Sequence, residues 1–425
     1  MAVFINFEPS EYNVANAPII YNVTSSQYAF PQYQYVCDIR NSSNVLLTRI
    51  KQYPNPNSTA TFDISRVIDD YLEWSPDNFI ISGAYGLDNT DEYKEFKIYF
   101  GDEYGTSLTS NVTLYDGNGV AGDPAVSGSS FPISAWQGTI EVNNGTNWNW
   151  GDVIGTDVSA EYLTSYPLTT NTSNKDSFKK VAQSDYGILG IYDPKDEMSA
   201  GITYTLYNSS NGVVDTVSLD LTESGSVMNY IPTGPQNLLS MGVSQSDLNS
   251  TQWYKVTFDT GSNSDTMAYM IEDSCNYERT NFMFVNKFGT WDSYGITLPQ
   301  RKNTSIERKQ IDRPFIPWSN QTPTYNIKSR GKDYYGISTE DRYVISTQFL
   351  TDGEANYLTE LLESPNVYIQ KDELKLSENI TKTDGPYFLP IIITNSAYVW
   401  KTNPKGQKLF QFDIEFQFSN QRYSV

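Results

Sequence analysis

Phe410-Gln411-Phe412-Asp413-Ile414-Glu415-Phe416-Gln417-Phe418 is the stretch on which the fold class turns. Apolar and polar side chains alternate without a break, which puts five apolar groups on one face of an extended chain and the polar ones on the other. The same period of two recurs in Phe96-Lys97-Ile98-Tyr99-Phe100 and in Trp253-Tyr254-Lys255-Val256-Thr257-Phe258. Two hairpins follow from their turns: Ile202–Tyr207 meets Val213–Leu219 across Asn208–Gly212, and Trp253–Phe258 meets Thr266–Ile271 across a loop holding Gly261. Helical spacing is rare. Asp63 is placed to cap a short helix with Ile64, Val67, Ile68, Tyr71 and Leu72 inward, ending before Pro76. Thr351 and Glu354 form a capping box ahead of Tyr357, Leu358, Leu361 and Leu362, ending before Pro365. The expectation is a mainly β protein of two or three antiparallel β-sandwich-like domains with two short helices. No strand–helix alternation calls for a parallel sheet.

At 425 residues the chain exceeds one ordinary core. Aromatic residues make up 14% of it, including 32 Tyr, which sets it apart from disordered chains. Rings with a polar tip suit interfaces, so the aromatic excess reads as contact surface. Four regions are expected: an N-terminal β domain over 1–115, a Gly/Ser/Asn/Trp-rich insertion or long loop over 116–178, a central β-sandwich over 179–274, and a C-terminal α+β domain over 275–425.

Charge divides the chain unevenly. Residues 1–275 hold 11 Lys and Arg against 33 Asp and Glu, whereas residues 276–425 hold 18 against 17. The acidic part would repel phosphate, so nucleic acid is not an expected partner there. The later part concentrates cations at Arg301, Lys302, Arg308, Lys309, Arg313, Lys328, Arg330 and Lys332, opposed only by Glu307 and Asp312. No nucleic-acid-binding signature accompanies them. Docking on the acidic surface of another subunit suits them better, and opposite charges on two parts of one chain favour head-to-tail, ring-forming contacts. A solvated loop is the plain alternative.

The absence of His excludes Ser-His-Asp and Cys-His catalysis, His-ligated zinc and phosphohistidine chemistry within this chain. Carboxylate chemistry survives. The adjacent pairs Asp69-Asp70, Asp91-Glu92 and Asp102-Glu103 would nonetheless point to opposite faces of a strand, which does not suit a glycosidase pair. Asp116-Gly117-Asn118-Gly119 begins like a calcium loop but lacks the distal acidic ligand, and reads as a turn. Cys37 and Cys275 read as small apolar strand residues. No metal or cofactor is expected. The opening MAVFINFEPSEY has neither a basic n-region nor an apolar h-region, and no apolar run nears the ~18 residues of a membrane span. A soluble product made in the cytoplasm, without a membrane partner, is the expectation.

Several stretches together resemble virion proteins of tailed phages infecting Bacteroidetes, such as the crAss-like group. FEPSEYNVANAPIIYNVTSSQYAF (7–30) followed by LLTRIKQYPNPNSTATFDISRVIDDYL (46–72) is similar to the start of such proteins. IPTGPQNLL (231–239) and CNYERTNFMFVNKFGTWDSYGITL (275–298) resemble the segments joining their central sandwich to the last domain. STQFLTDGEANYLTELLESPNVYI (346–369), LPIIITNSAYVWKTN (389–403) and FQFDIEFQF (410–418) resemble the helix-plus-sheet ending of tail and baseplate proteins. The resemblance implies a non-enzymatic tail-hub, tail-tip or collar component, localised to the virion after assembly in the host cytoplasm. It implies a homo-oligomeric ring around the tail axis, with other tail or collar proteins as partners. Arg308, Lys309, Arg313 and Arg330, with Trp318 as anchor, are the expected interface residues. The alternative is a carbohydrate-binding adhesin module that stacks glycans on Trp136, Trp148 and Trp150.

Overall fold

The computed structural model describes residues 3–9, 12–15, 17–73, 83, 85–86, 93–105, 113–115, 131–136, 161–169, 171–192, 201–219, 228–259, 264–272, 279–312, 331–372, 374–377, 380–382, 386–395 and 411–420. It is mainly β, in several largely antiparallel sheets, with parallel pairings at two sheet edges. The chain forms two compact units. Unit 1 is Met1–Asp273 with Phe284–Ser293, and unit 2 is Ser274–Met283 with Tyr294–Val425. Strands are numbered in chain order.

Unit 1 begins with a three-stranded sheet, β1 (Val3–Phe7), β3 (Ile20–Ser25) and β6 (Thr59–Asp63), in that spatial order. Beside it in sequence is a sheet ordered β2 (Tyr12–Val14), β10 (Phe131–Trp136), β8 (Tyr93–Glu103), β4 (Gln34–Asn41) and β5 (Leu46–Gln52), with β9 (Thr113–Tyr115) against β8. One face of β4 sends Tyr35, Cys37 and Ile39 into a core shared with Tyr21, Phe62, Ile68 and Phe100. The other face carries Val36, Asp38 and Arg40. Asp38 is fully buried and accepts from Arg49 Nε at 2.6 Å and from Arg40 at 3.2 Å, so a buried carboxylate is matched by two guanidinium groups.

Helix α1 (Ser65–Asp69) is shorter than its sequence suggests and has Ile64 at its cap position. The Asp63 carboxylate still serves the helix start, accepting from Ser65 N at 3.1 Å while also holding Ile19 N at 3.3 Å. Ile64, Ile68 and Leu72 are buried as the spacing predicts, and Pro76 lies outside the described residues.

The rest of unit 1 contains a sheet ordered β11 (Glu161–Tyr162), β13 (Ile188–Tyr192), β16 (Met228–Pro232) and β7 (Tyr85–Gly86). A further sheet is ordered β12 (Lys179–Val181), β18 (Ser264–Ile271), β17 (Trp253–Asp259), β14 (Ile202–Tyr207) and β15 (Val213–Leu219). Both hairpins read from the sequence are present in register. Two helices that sequence reasoning missed, α2 (Pro235–Ser240) and α3 (Gln245–Ser250), lie between β16 and β17. Their signals were local: Pro235 in the first turn of α2, and Ser244 accepting from Asp247 N at the start of α3.

Most strands of unit 2 belong to a seven-stranded sheet ordered β20 (Trp291–Ile296), β19 (Thr280–Val285), β23 (Val367–Lys371), β26 (Tyr387–Ile393), β27 (Asp413–Phe418), β22 (Lys332–Ser346) and β21 (Gln300–Asp312). A small pair, β24 (Leu374–Ser377) and β25 (Ile380–Lys382), stands apart in pairing. Along the final strand and the residue before it, Phe412, Ile414 and Phe416 are buried while Asp413 and Glu415 are exposed, as their alternation requires. Helix α4 (Asp352–Glu363) starts at the Thr351–Glu354 capping box and buries Ala355, Tyr357, Leu358 and Leu361.

Tyrosine is used differently from the sequence expectation. Tyr21, Tyr35, Tyr204, Tyr230, Tyr254, Tyr269 and Tyr357 are among the largest fully buried side chains, so much of the aromatic content fills cores. Two of these hydroxyls find a backbone acceptor: Tyr35 donates to the Ser58 carbonyl and Tyr254 to that of Thr233, both at 2.6 Å.

Candidate assembly surface

The cations at 300–312 sit on β21, paired with β22 from Gln300↔Ile345 to Asp312↔Lys332. Only Tyr343–Ser346 of β22 also pairs with β27. From Asn303 and Arg342 outward, therefore, the two strands form a ribbon with no further strand on either edge among the described residues. Every β21 residue after Gln300 is exposed.

The base of this ribbon is fixed by specific contacts. Lys302 Nζ pairs with Asp341 Oδ2 at 2.7 Å and lies 5.8 Å from the Tyr343 ring centroid. Thr304 donates to Asp341 at 2.7 Å, and Tyr343 stacks on Phe416 with centroids 5.5 Å apart. The Asp341 carboxylate, as hydrogen-bond acceptor, holds the Lys302 ammonium above its ordinary pKa. Farther out the pairing ends: Arg308 and Lys309 have no ion-pair partner among the described residues.

Register sorts these side chains between two faces, because partners across an antiparallel ladder share a face. One face carries Lys302, Thr304, Ile306 and Arg308 of β21 with Tyr343, Asp341, Thr339 and Ile337 of β22. It is the face on which Ile345, Ile414 and Phe416 are buried in the sheet. A bulge between Lys309 and Gln310 leaves Tyr335 as the extra residue and brings Tyr334 opposite Gln310 on the same face. The opposite face carries Arg301, Asn303, Ser305, Glu307 and Lys309 with Arg342, Glu340, Ser338 and Gly336.

Of the residues expected at an interface, Arg308 and Lys309 are thus exposed on one strand but on opposite faces; Arg313, Trp318 and Arg330 lie outside the described residues. Trp136 ends β10, paired with Tyr93 and Val14, while Trp148 and Trp150 also lie outside. The plain alternative, a solvated loop, is corrected for 301–312 and for Lys332, which lie in strands. Ile306, Ile311, Tyr334, Tyr335 and Ile337 are exposed apolar groups there that sequence reasoning passed over.

Other surfaces offer less chemistry. Phe30 stacks on Tyr104 at 4.8 Å, and both are exposed. An open cavity of about 570 Å³ is lined by Tyr71, Tyr93, Lys94 and, as the one carboxylate among the described residues, Glu95, with Lys94 tied to the Tyr71 carbonyl at 2.8 Å. Asp102 is buried, and Glu103 is paired with Lys51. Cys37 is buried, and burial pushes its thiol well above the ordinary range, the opposite of a reactive thiolate. Among the described residues no group of three or more Cys, Asp or Glu is placed to hold a metal ion. No helix there is long and apolar enough to cross a membrane. The Asp116–Gly119 turn, Asp91-Glu92 and Cys275 lie outside the described residues.

No protein-family model and no curated protein matches this chain.

Proposed function

We propose that the chain is a non-enzymatic structural component of a tailed-phage virion, a tail-hub or tail-tip subunit that closes into a ring through contacts between its own copies. The observation that carries this reading is the β21–β22 ribbon. A two-stranded hairpin is marginal in water by itself, yet this one extends past its sheet with exposed isoleucines and tyrosines, and with Arg308 and Lys309, which have no ion-pair partner among the described residues. Such a surface is costly to a monomer and useful to an assembly. The strongly acidic residues 1–275 supply the complementary partner, and a contact between two different surfaces of one chain is heterologous, the kind that closes rings.

A collar position in the virion fits the same geometry. The glycan-binding reading has one observation in its favour, the exposed Phe30–Tyr104 stack, which offers a flat apolar platform.

Size-exclusion chromatography with light scattering at low and high salt, with negative-stain imaging of large species, tests the proposal. A closed oligomer that dissociates as salt rises is expected, because exposed charge pairs are screened beyond about 10 Å at 0.1 M. A monomer at every salt and protein concentration would overturn self-assembly, and a glycan array would then decide whether sugar binding replaces it.

A further inference from the structure

The ribbon has two faces of different chemistry and two edges that do not invite pairing. Charged side chains and a bulge on an edge strand deter addition of another strand; the β21 edge carries Arg301, Lys302, Arg308 and Lys309, and the β22 edge has the bulge at Tyr335. A partner is thus directed to a face. As far as the bulge, one face is polar through Asn303, Ser305, Glu307, Lys309, Ser338 and Glu340, groups that lose nothing in water, and its exposed Ile311 follows only beyond it. The other presents Ile306 diagonal to Ile337, then Tyr334, with Arg308 opposite Ile337. Ile306 is 46% exposed and Tyr334 50%. Apolar groups around an arginine and a tyrosine are the composition of an interface centre.

We infer that the ribbon is a one-sided docking element: its Ile306–Ile337–Tyr334 face, with Arg308 in it, seats on the acidic unit 1 of a second copy of the chain, while the Lys309 face stays in water. This rests on the assembly reading above and names the surfaces that meet. Two ribbons set face to face would bring Arg308 against Arg308, a like-charge contact in an apolar setting, so ribbon-to-ribbon pairing is disfavoured. Unit 1 instead carries the chain's carboxylate excess. Arg308, which has no ion-pair partner among the described residues, gains a carboxylate when the face closes.

Arg308 and Lys309 are neighbours that differ in face, which supplies the test. In the full chain, Arg308→Gln and Lys309→Gln each remove one positive charge from an exposed strand position. The concentration needed for assembly, read by mass photometry, should rise at least tenfold for Arg308→Gln and stay near wild type for Lys309→Gln. Ile306→Thr with Ile337→Thr, which keeps β-branching and net charge, should behave like Arg308→Gln, with thermal melting showing the fold intact. Cross-linking of isotope-labelled with unlabelled chains should join the ribbon of one copy to residues of 1–273 in the other. Equal effects of the two charge variants would overturn the one-sided face, as would assembly untouched by any variant; ribbon-to-ribbon cross-links would overturn the partner surface. Those results leave the assembly reading standing. A wild-type chain that never assembles overturns both.

Discussion

Asp38 shows how one side chain can constrain a sheet. Its carboxylate is fully buried between β4 and β5, with Arg49 bidentate at 2.6 and 2.8 Å and Arg40 at 3.2 Å. The same hydrogen bonds raise the Arg49 pKa above its already high ordinary value. Removing one member of a buried ion pair costs about 3–5 kcal/mol, because the other is left without compensation. Here Arg49 retains a third of its side-chain exposure, so water recovers part of the loss. Asp38→Asn should therefore lower unfolding stability by about 2–3 kcal/mol on that scale, read from urea denaturation. A loss under about 0.5 kcal/mol, the size of an ordinary surface change, would mean that the triad is dispensable. None of this was visible in the run YVCDIR, where Asp38 looks like one more strand polar. Only the pairing of β4 with β5, Asp38 opposite Arg49, reveals its partner.

At the scale of elements, what could be read was what is local. The capping box of α4 is complete: Thr351 N donates to Glu354 Oε2 at 2.9 Å and Glu354 N to Thr351 Oγ1 at 3.4 Å. Thr351→Ala removes the hydroxyl acceptor and should cost about 1 kcal/mol, measured as a lowered denaturation midpoint, with Thr351→Ser restoring most of it. An unchanged midpoint would place the start of α4 outside the cooperative fold. The two hairpins and the final strand were equally legible, since turn residues and period-two alternation lie within a few positions of each other. The ribbon was not. Both of its faces meet water, so no apolar alternation marks it, and its cations drew attention to charge rather than conformation. Its β signal was propensity: Thr304, Ile306 and Ile311 on one strand, and Tyr334, Tyr335, Ile337, Thr339, Tyr343 and Val344 on the other. Once the strand is known, the period of two separates Arg308 from Lys309; what no local motif announces is the bulge at Tyr335 that brings Tyr334 opposite Gln310.

For the whole molecule, an absent residue and an abundant one set the pH response together. Without His, the chain lacks the one side chain whose ordinary pKa falls between about pH 5 and 8. Stability should accordingly be flat through neutrality. Tyrosine governs the alkaline side. Burial raises the phenols of Tyr21 and Tyr204 well above their ordinary value, and raises those of Tyr269 and Tyr368, with the Cys37 thiol shifted the same way. A folded-state pKa above the unfolded one means that, past the unfolded value, the unfolded chain releases protons the folded chain keeps. The folded state then binds more protons, and stability falls as pH rises. The contribution is complete below about pH 9, and it declines from there through pH 10 and above, as first thiol and then phenol ionise in the unfolded chain. These groups lie in both compact units, so the decline belongs to the chain rather than to one core. Growing negative charge on a chain already at −21 adds self-repulsion in the same direction. Thermal midpoints measured across about pH 6 to 11 should hold level and then drop, with tyrosinate absorbance from the buried rings rising only as the fold is lost. A midpoint unchanged to the alkaline end, or buried phenols that ionise while near-UV dichroism stays native, would show that these rings reach water without unfolding, and that the tyrosine-filled cores are looser than their burial implies.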